Sequence, residues 1–510
     1  MLHDPQPSRF CRSHVQPPRL PVLFAALLGL TSAFAQESSP ALWVEGRVGA
    51  SLTISSNGPL EPVSRSEQAV EISPGVQVVA NGARVKGSLD YSLRAIAYAR
   101  DTSSDNLRQS LNAKGSVELV DGRAYLDASG VISDETISAF GPVGGLSDAN
   151  RTETSSFSFS PYLKGPLTRY ANYELRYAYA SSNNEGSARS DSESEDVSLT
   201  LQGSGGGILG WSVQAQSGST DYSQDRKTRS DSLRLNLNYA ASPQLMLTAV
   251  AGTERNDVIT VQRESYTITG VGADWRPSPR SRLSLDLQDR YFGHSHRLTM
   301  EHRTGRTVWR LSDSRDVSNS PTQAATAYAG TLYELIDASL LQLYPDDVAR
   351  AQEVQRRLAQ IGLPGNVAIY ESFLSSSASL ARTQSLAAVL QGRRTVFTTT
   401  LSRTRTSRLR SVVSLGDDFD STSYVLQEGL TLAVGHQLTP QTSFSADFSL
   451  RRNEGSQTGQ RTRSQTLSLR LVTQLAARTS GSVQLRRSVQ SSSTSPYGET
   501  AISGTVNHRF

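Results

Sequence analysis

The chain has 510 residues, 37% of them hydrophobic and 7% aromatic, with a mean hydropathy of -0.38. A polytopic helical membrane protein is excluded, because each helical span needs about 20 consecutive apolar residues and only one N-terminal stretch approaches that length. Charge is balanced, 51 basic against 47 acidic residues, which implies no large single-sign field and no nucleic-acid partner; low net charge and a regular apolar rhythm also argue against disorder.

Residues 1–35 read as a cleaved signal peptide. Arg9, Arg12 and Arg19 form a basic n-region, Leu20 to Leu30 an apolar core, and Ala33-Phe-Ala35 a small-x-small cleavage site before Gln36. The alternative, a single anchoring helix, fits poorly with so short an apolar run. Cys11 is the only cysteine, so the mature chain has no disulfide, thiolate metal site or cysteine nucleophile.

From Ala41 onward, apolar and polar residues alternate in blocks of about ten, the period of a strand with two unlike faces. Ser232-Leu-Arg-Leu-Asn-Leu-Asn-Tyr239, Leu283-Ser-Leu-Asp-Leu287, Phe444-Ser-Ala-Asp-Phe-Ser-Leu450 and Leu467-Ser-Leu-Arg-Leu471 are examples. Short spacers carry turn chemistry, as at Asn81-Gly82, Asp121-Gly122, Pro243, Pro277-Ser-Pro279, Gly305 and Thr439-Pro440. Longer polar loops are expected over 181–191, 217–230, 254–265 and 451–463. Short turns at one end and longer loops at the other predict an all-β fold, an antiparallel transmembrane β-barrel over residues 36–510 with roughly 22 strands, within 18 to 24. An even count places both termini on the periplasmic side. A soluble β-sandwich array or solenoid would need domain linkers and stronger apolar cores, and neither is present.

One segment, 321–365, breaks the alternation and reads as a helical insertion. Pro345 stands at a first helical position with Asp346 and Asp347 in the first turn, while Gly362 and Pro364 end the helix. Val348, Ala351, Val354, Leu358 and Ile361 share one face, and Leu332, Leu335, Ile336, Leu340 and Leu343 form a second stripe. The insertion joins strands 15 and 16 on the extracellular side, as a loop or plug; the alternative is a stabilising surface cap. At the C-terminus, Phe510, His508 and Val506 share one face of the last strand. A terminal Phe on an amphipathic strand resembles the assembly signal of Gram-negative outer-membrane barrels.

If the leucine faces meet lipid, Arg176, Arg234, Arg290, Arg297, Arg470 and Arg486 line the lumen, with Glu174, Asp286, Glu301 and Asp447. Such a lining would favour anions or anionic glycans; the alternative is a salt-bridged wall that stiffens the barrel. Glu428 falls on an otherwise apolar face, so either the register slips there or Glu428 lies near an interface. His294-Ser-His296 with His302 shares a strand face with Leu298 and Met300, which favours an outward surface over a metal site. The acidic knot Asp417-Asp418-Phe-Asp420 lacks the glycine turn and distal acid of a calcium loop. No catalytic motif or phosphate loop is present, so no enzyme, metal or cofactor is expected.

Gly270-Val-Gly-Ala-Asp-Trp275-Arg-Pro277, Arg290-Tyr-Phe-Gly293, His302-Arg303, Thr307-Val-Trp309, Ser314-Arg-Asp-Val317 and Pro345-Asp-Asp-Val-Ala-Arg350 form a run densest over 265–365. With Pro74-Gly75 and Gly82 to Tyr91, it resembles the outer-membrane protein family associated with PEP-CTERM/exosortase systems. That resemblance implies an outer-membrane barrel in bacteria that make exopolysaccharide, and carries no catalytic residues.

The functional expectation is an outer-membrane channel or export component for exopolysaccharide or another envelope polymer. A structural or adhesive scaffold with a blocked lumen is the alternative, and a barrel-embedded hydrolase a more remote one. No plug-sized segment precedes the first strand at Leu42, so active import is not expected. Expected partners are outer-membrane lipid, the barrel-assembly machinery, and exopolysaccharide or its export proteins.

Overall fold

The computed structural model describes residues 42–510 except 102–105, 185–190, 204–206, 224–226, 410–416, 457–459, 494 and most of 319–377, where 336, 337, 340, 350, 353, 354, 357, 358 and 373–375 are described. The signal peptide expected over 1–35 and much of the insertion expected over 321–365 lie outside the described residues.

Twenty-two strands follow in chain order: β1 (Leu42–Ser55), β2 (Glu67–Asn81), β3 (Val85–Tyr98), β4 (Asn106–Val120), β5 (Ala124–Thr136) and β6 (Arg151–Thr168). Next come β7 (Ala171–Asn184), β8 (Ser192–Gly203), β9 (Leu209–Tyr222), β10 (Thr228–Ser242), β11 (Leu245–Asn256) and β12 (Glu264–Ser278). They continue with β13 (Ser281–Arg290), β14 (Gly293–Arg303), β15 (Thr307–Ser318), β16 (Ser379–Gln391) and β17 (Thr395–Arg408). The last five are β18 (Tyr424–Gln437), β19 (Thr442–Gly455), β20 (Arg461–Ala476), β21 (Thr479–Ser492) and β22 (Tyr497–Arg509).

Each strand pairs antiparallel with the next, and β1 pairs with both β2 and β22, so the sheet closes. Closure leaves no edge of unpaired backbone groups, the condition for a sheet in lipid. The seam runs from Arg47 opposite Arg509 to Ser55 opposite Ala501.

The connections sort by end. At one, β2–β3 (82–84), β10–β11 (243–244), β12–β13 (279–280) and the other turns of that rim have two to five residues. At the other they range from the two residues 291–292 to the sixty between β15 and β16. The loops expected over 181–191, 217–230, 254–265 and 451–463 are shorter than expected, because the strands run on to Asn184, Tyr222, Asn256 and Gly455. Strands here have 10 to 18 residues, whereas about 9–11 suffice to cross a bilayer. Beyond the apolar layer the backbone ladder continues between polar residues, and a hydropathy pattern does not register it.

The register makes the two faces of the wall unambiguous. On β10, Leu233, Leu235, Leu237 and Tyr239 point outward and are exposed, while Arg234, Asn236 and Asn238 point inward. The same parity carries around the ring and returns to β1 in phase, with Leu52 and Ile54 outside and Ser55 inside. An outward leucine belt on every side is a lipid-facing surface. Trp211, Tyr239, Trp275, Trp309, Phe397 and Phe444 ring its short-turn margin on that face, as an interfacial aromatic girdle does. This is the architecture of an outer-membrane barrel.

Glu428 requires neither register slip nor an interface position alone. The ladder through it is unbroken, and its two cross-strand neighbours are Arg403 and Arg452, at 3.5 and 3.8 Å on the same outward face.

Phe510 completes the seam. Its N–H donates to the Gly46 carbonyl (2.9 Å), its ring lies against Gly46, and His508 meets it edge-on with centroids 4.9 Å apart. Val506 continues the same outward face. Deleting Phe510 removes both the terminal hydrogen bond and the ring that bridges the last strand to the first. The fraction of heat-modifiable, membrane-inserted protein should fall and unfolded periplasmic protein should rise; unchanged insertion under strong expression would count against this role.

Candidate functional site: the barrel interior

All ten inward candidates share the face opposite the leucines, and the structure gathers them into separate ion-paired groups. Arg290 pairs with Glu254 (2.7 Å) and faces Asp316 (3.6 Å), which Arg297 also approaches (3.7 Å). Arg234 and Asp286 point into the same region from β10 and β13. Glu254, 1% exposed, also accepts the Tyr291 N–H (2.8 Å). Burial pushes the phenol of Tyr291, in the turn between β13 and β14, above its ordinary value, with Arg290 opposing and Glu254 and Asp316 adding to the shift.

The remaining candidates form smaller groups. Arg176 bridges Asp127 and Glu174 at 3.0 Å each and stacks on Tyr162. Arg486 pairs with the fully buried Glu499 (3.1 Å). Arg470 donates to Gln484 (2.6 Å) beside Asp447, and Arg310 faces Glu301 at 3.8 Å. Most of the arginine charge is therefore met by carboxylates, which weakens the expected anion preference: paired charges stiffen a wall more than they attract ions.

Among the described residues, two connecting segments reach furthest into the interior. The first is the β5–β6 loop (137–150), which no periodicity in the sequence marks. Tyr98 of β3 donates to the Leu146 carbonyl (2.9 Å), and Arg108 of β4 pairs with Asp148 (3.0 Å). Tyr497 of β22 donates to the Val143 carbonyl (2.8 Å), Thr462 of β20 to Phe140 (3.4 Å), and Asn453 of β19 to Ala139. Tyr98, Arg108, Tyr497, Thr462 and Asn453 are inward-facing, and β20 lies eight strands from β6 around the ring. The loop therefore crosses the long-loop mouth.

Its path turns at Gly144 and Gly145, with φ of 95° and 72°. A Cβ at Gly145 would meet Leu60 at 3.0 Å and Glu499 at 3.1 Å, so both conformation and space call for glycine there. The signal was present in Gly141-Pro-Val-Gly-Gly145, a cluster of turn residues, yet nothing in it says that the loop folds inward.

The acidic knot is the loop's anchor. Asp418 accepts from Ser138 Oγ (2.7 Å) and the Ala139 N–H (2.8 Å), while Arg408 holds Asp417 and Asp420 at 2.9 and 3.4 Å. Phe373, Phe419, Ala139 and Val425 form a buried cluster beneath it. The three histidines do not converge: His294 pairs with Asp289, His296 with Asp313 (2.9 Å) and His302 with Ser281 (2.9 Å). Among the described residues no group of three or more His, Cys, Asp or Glu could hold a metal ion.

The second segment is the insertion between β15 and β16. Its residues Ile336, Leu340, Val354 and Leu358 are helical and buried together against the inward-facing Ala433, with Val396 packed alongside. The two apolar stripes thus meet each other and the inner wall. Burial of each such side chain contributes roughly 1.5–3 kcal/mol. Asp337 and Arg350 join the two stripes by an ion pair of 2.9 Å. Arg357, held by Glu353 (2.7 Å), donates to Gln391 (3.2 Å) at the short-turn end of β16. The insertion leaves the wall at the long-loop rim and reaches down the lumen to the opposite rim.

Asp418→Ala strands the buried Ala139 N–H, a cost of about 1–3 kcal/mol, and removes the acceptor of the half-buried Ser138 hydroxyl. Hydrogen exchange in 137–150 should accelerate while the barrel stays heat-modifiable. Arg290→Gln leaves Glu254 buried without its cation, a loss of roughly 3–5 kcal/mol that denaturant unfolding should read; the same midpoint as wild type would contradict the pairing.

No family model matches the chain, and no curated protein matches it. Among solved structures, it is similar to the siderophore receptor PirA from Pseudomonas aeruginosa, with 10% identity over 92% of this chain and 80% of that one and a TM-score of 0.45. It is also similar to the FrpB iron transporter from Neisseria meningitidis, with 9% identity over 91% and 82% and a TM-score of 0.48. The ferric-catecholate import receptor Fiu from E. coli K12 gives 8% over 91% and 81%, with a TM-score of 0.46. At these values the likeness says nothing of what this chain carries.

Proposed function

We propose that this chain is a gated passage in the Gram-negative outer membrane for a polar envelope polymer, in the exopolysaccharide-making, exosortase-type setting to which its sequence is similar. The observation that carries the reading is an asymmetric interior. Along β16–β21 many inward side chains are buried, as at Ala387, Val389, Thr400, Ser445 and Ser488, and Ala433 and Val396 are packed against the insertion. Along β4, β5 and β9, inward Ser110, Asn112, Lys114, Ser129, Gln214 and Gln216 are exposed. Hydroxyl and amide groups of this kind exchange hydrogen bonds with sugar hydroxyls, and the arginines across the lumen are engaged by carboxylates. The long-loop rim then faces outside the cell and the short turns face the periplasm.

Single-channel conductance of refolded protein tests the reading. Wild type should pass a small current with weak ion selectivity. Deleting 323–362 should raise it several-fold, because the buried stripes leave the lumen with it. A second reading, a scaffold with a blocked lumen, draws support from the docking of the insertion by a buried apolar cluster and of the crossing loop by hydrogen bonds to its carbonyls and to Asp418. A barrel that stays silent after deletion of 323–362 and of 139–149 would favour the scaffold.

A further inference from the structure

The outer wall carries a polar row where lipid is expected. Asp313, Gln384, Arg403, Glu428, Arg452 and Arg463 stand opposite one another in sequence across β15 to β20, all facing outward. Two residues nearer the short turns, Leu311, Leu386, Leu401, Leu430 and Leu450 form a parallel apolar row. Both rows line a single concave depression of about 1150 Å³. The wall is thin there: the inward partners are Ser312, Ser385, Ser402 and Gly429, and a Cβ at Gly429 would come within 2.6 Å of Ser402 Oγ. Small residues let the sheet bend inward.

The charges do not balance within the row. Arg452 stands directly opposite Arg463, and Arg382 opposite Arg405. Like charges directly opposite one another on a sheet repel. Asp313 holds Arg382 (2.9 Å), and Arg405 stacks on Tyr424 (4.3 Å). Arg452 reaches Glu454 (2.6 Å), but its Nε is buried with no hydrogen-bond partner, and among the described residues Arg463 has no ion pair. Arg461 lies 3.9 Å from Glu454, and among the lining residues Arg403, Arg452, Arg461 and Arg463 stand with two carboxylates, Asp313 and Glu428.

A concavity in a lipid-facing wall fills with acyl chain, and an arginine excess at its outer margin calls for an anionic headgroup. We propose that this depression binds one acylated glycolipid bearing phosphomonoesters, with a phosphate between Arg452 and Arg463 and acyl chains along the leucine row. The site lies toward the long-loop rim, so this assignment rests on the outer-membrane reading, which places that rim in the outer leaflet. Glu428 and Glu454 then orient the arginines without neutralising them, and the arginine fork donates two parallel hydrogen bonds to the phosphate oxygens.

The test uses full-length protein refolded in detergent, incubated with bisphosphorylated lipid A, its enzymatically dephosphorylated form, or phosphatidylglycerol, and read by native mass spectrometry. One bisphosphorylated lipid A should be retained per barrel, and the dephosphorylated form and phosphatidylglycerol about tenfold less. The double variant Arg452→Gln, Arg463→Gln should lose retention about tenfold while keeping wild-type conductance. Equal retention of the dephosphorylated form or of phosphatidylglycerol overturns the proposal, as does wild-type retention by the double variant. Should that variant fail to fold, the phosphatase arm on wild type decides alone. A folded, heat-modifiable barrel that retains no lipid A overturns this proposal only; a chain that never becomes heat-modifiable overturns the outer-membrane reading with it.

Discussion

Everything in this protein depends on the hydrogen bonding of the backbone in an apolar medium. A peptide group facing hydrocarbon has no water to bond, so each must find a partner within the sheet. The pairing of β1 with β22 meets that demand, and Phe510 supplies its last hydrogen bond at Gly46. Once the ring is closed, side-chain parity is fixed for every strand, because a slip of one residue would exchange the leucine and polar faces. The wall can then carry charge inside and leucine outside without a conventional core.

A ring of 22 strands encloses more volume than its own side chains fill. The chain closes part of that space with its own loops. The insertion fills the space beside β16–β18, and the 137–150 loop spans the mouth from β6 to β20. Their seams differ in kind. The insertion is held mainly by apolar burial, at Val354 and Leu358 against Ala433, whereas the crossing loop is held by hydrogen bonds to its carbonyls and by Asp418. Apolar burial tolerates sliding along a wall of Ala, Val and Thr; directional hydrogen bonds do not. The hydrogen bonds thus fix the path of the loop across the mouth.

The arginines divide between two environments. Inside, Arg290, Arg176 and Arg486 each reach a carboxylate, and the low exposure of Glu254 and Glu499 makes those pairs structural. Outside, Arg452 and Arg463 sit opposite each other above a leucine row, an arrangement with charge left to satisfy. The same residue type stiffens one face and equips the other to meet an anion.

The strand period, the sort of short turns from long loops and the break in alternation between β15 and β16 are legible in the amino-acid order alone. Those properties are local: a period of two and a turn residue act over a few positions, and the chain reports them directly. Tertiary structure decided which inward arginine meets which acid, since Arg290 finds Glu254 two strands away and Arg486 finds Glu499 on the next. It decided that Gly141-Pro-Val-Gly-Gly145 turns into the lumen, because the groups that receive it lie on β3 and β22. It also made Glu428 legible: alone it is a misplaced charge, and only the cross-strand register brings Arg403 and Arg452 to its sides. Register is set by hydrogen bonds between segments distant in sequence, and no single strand contains that information.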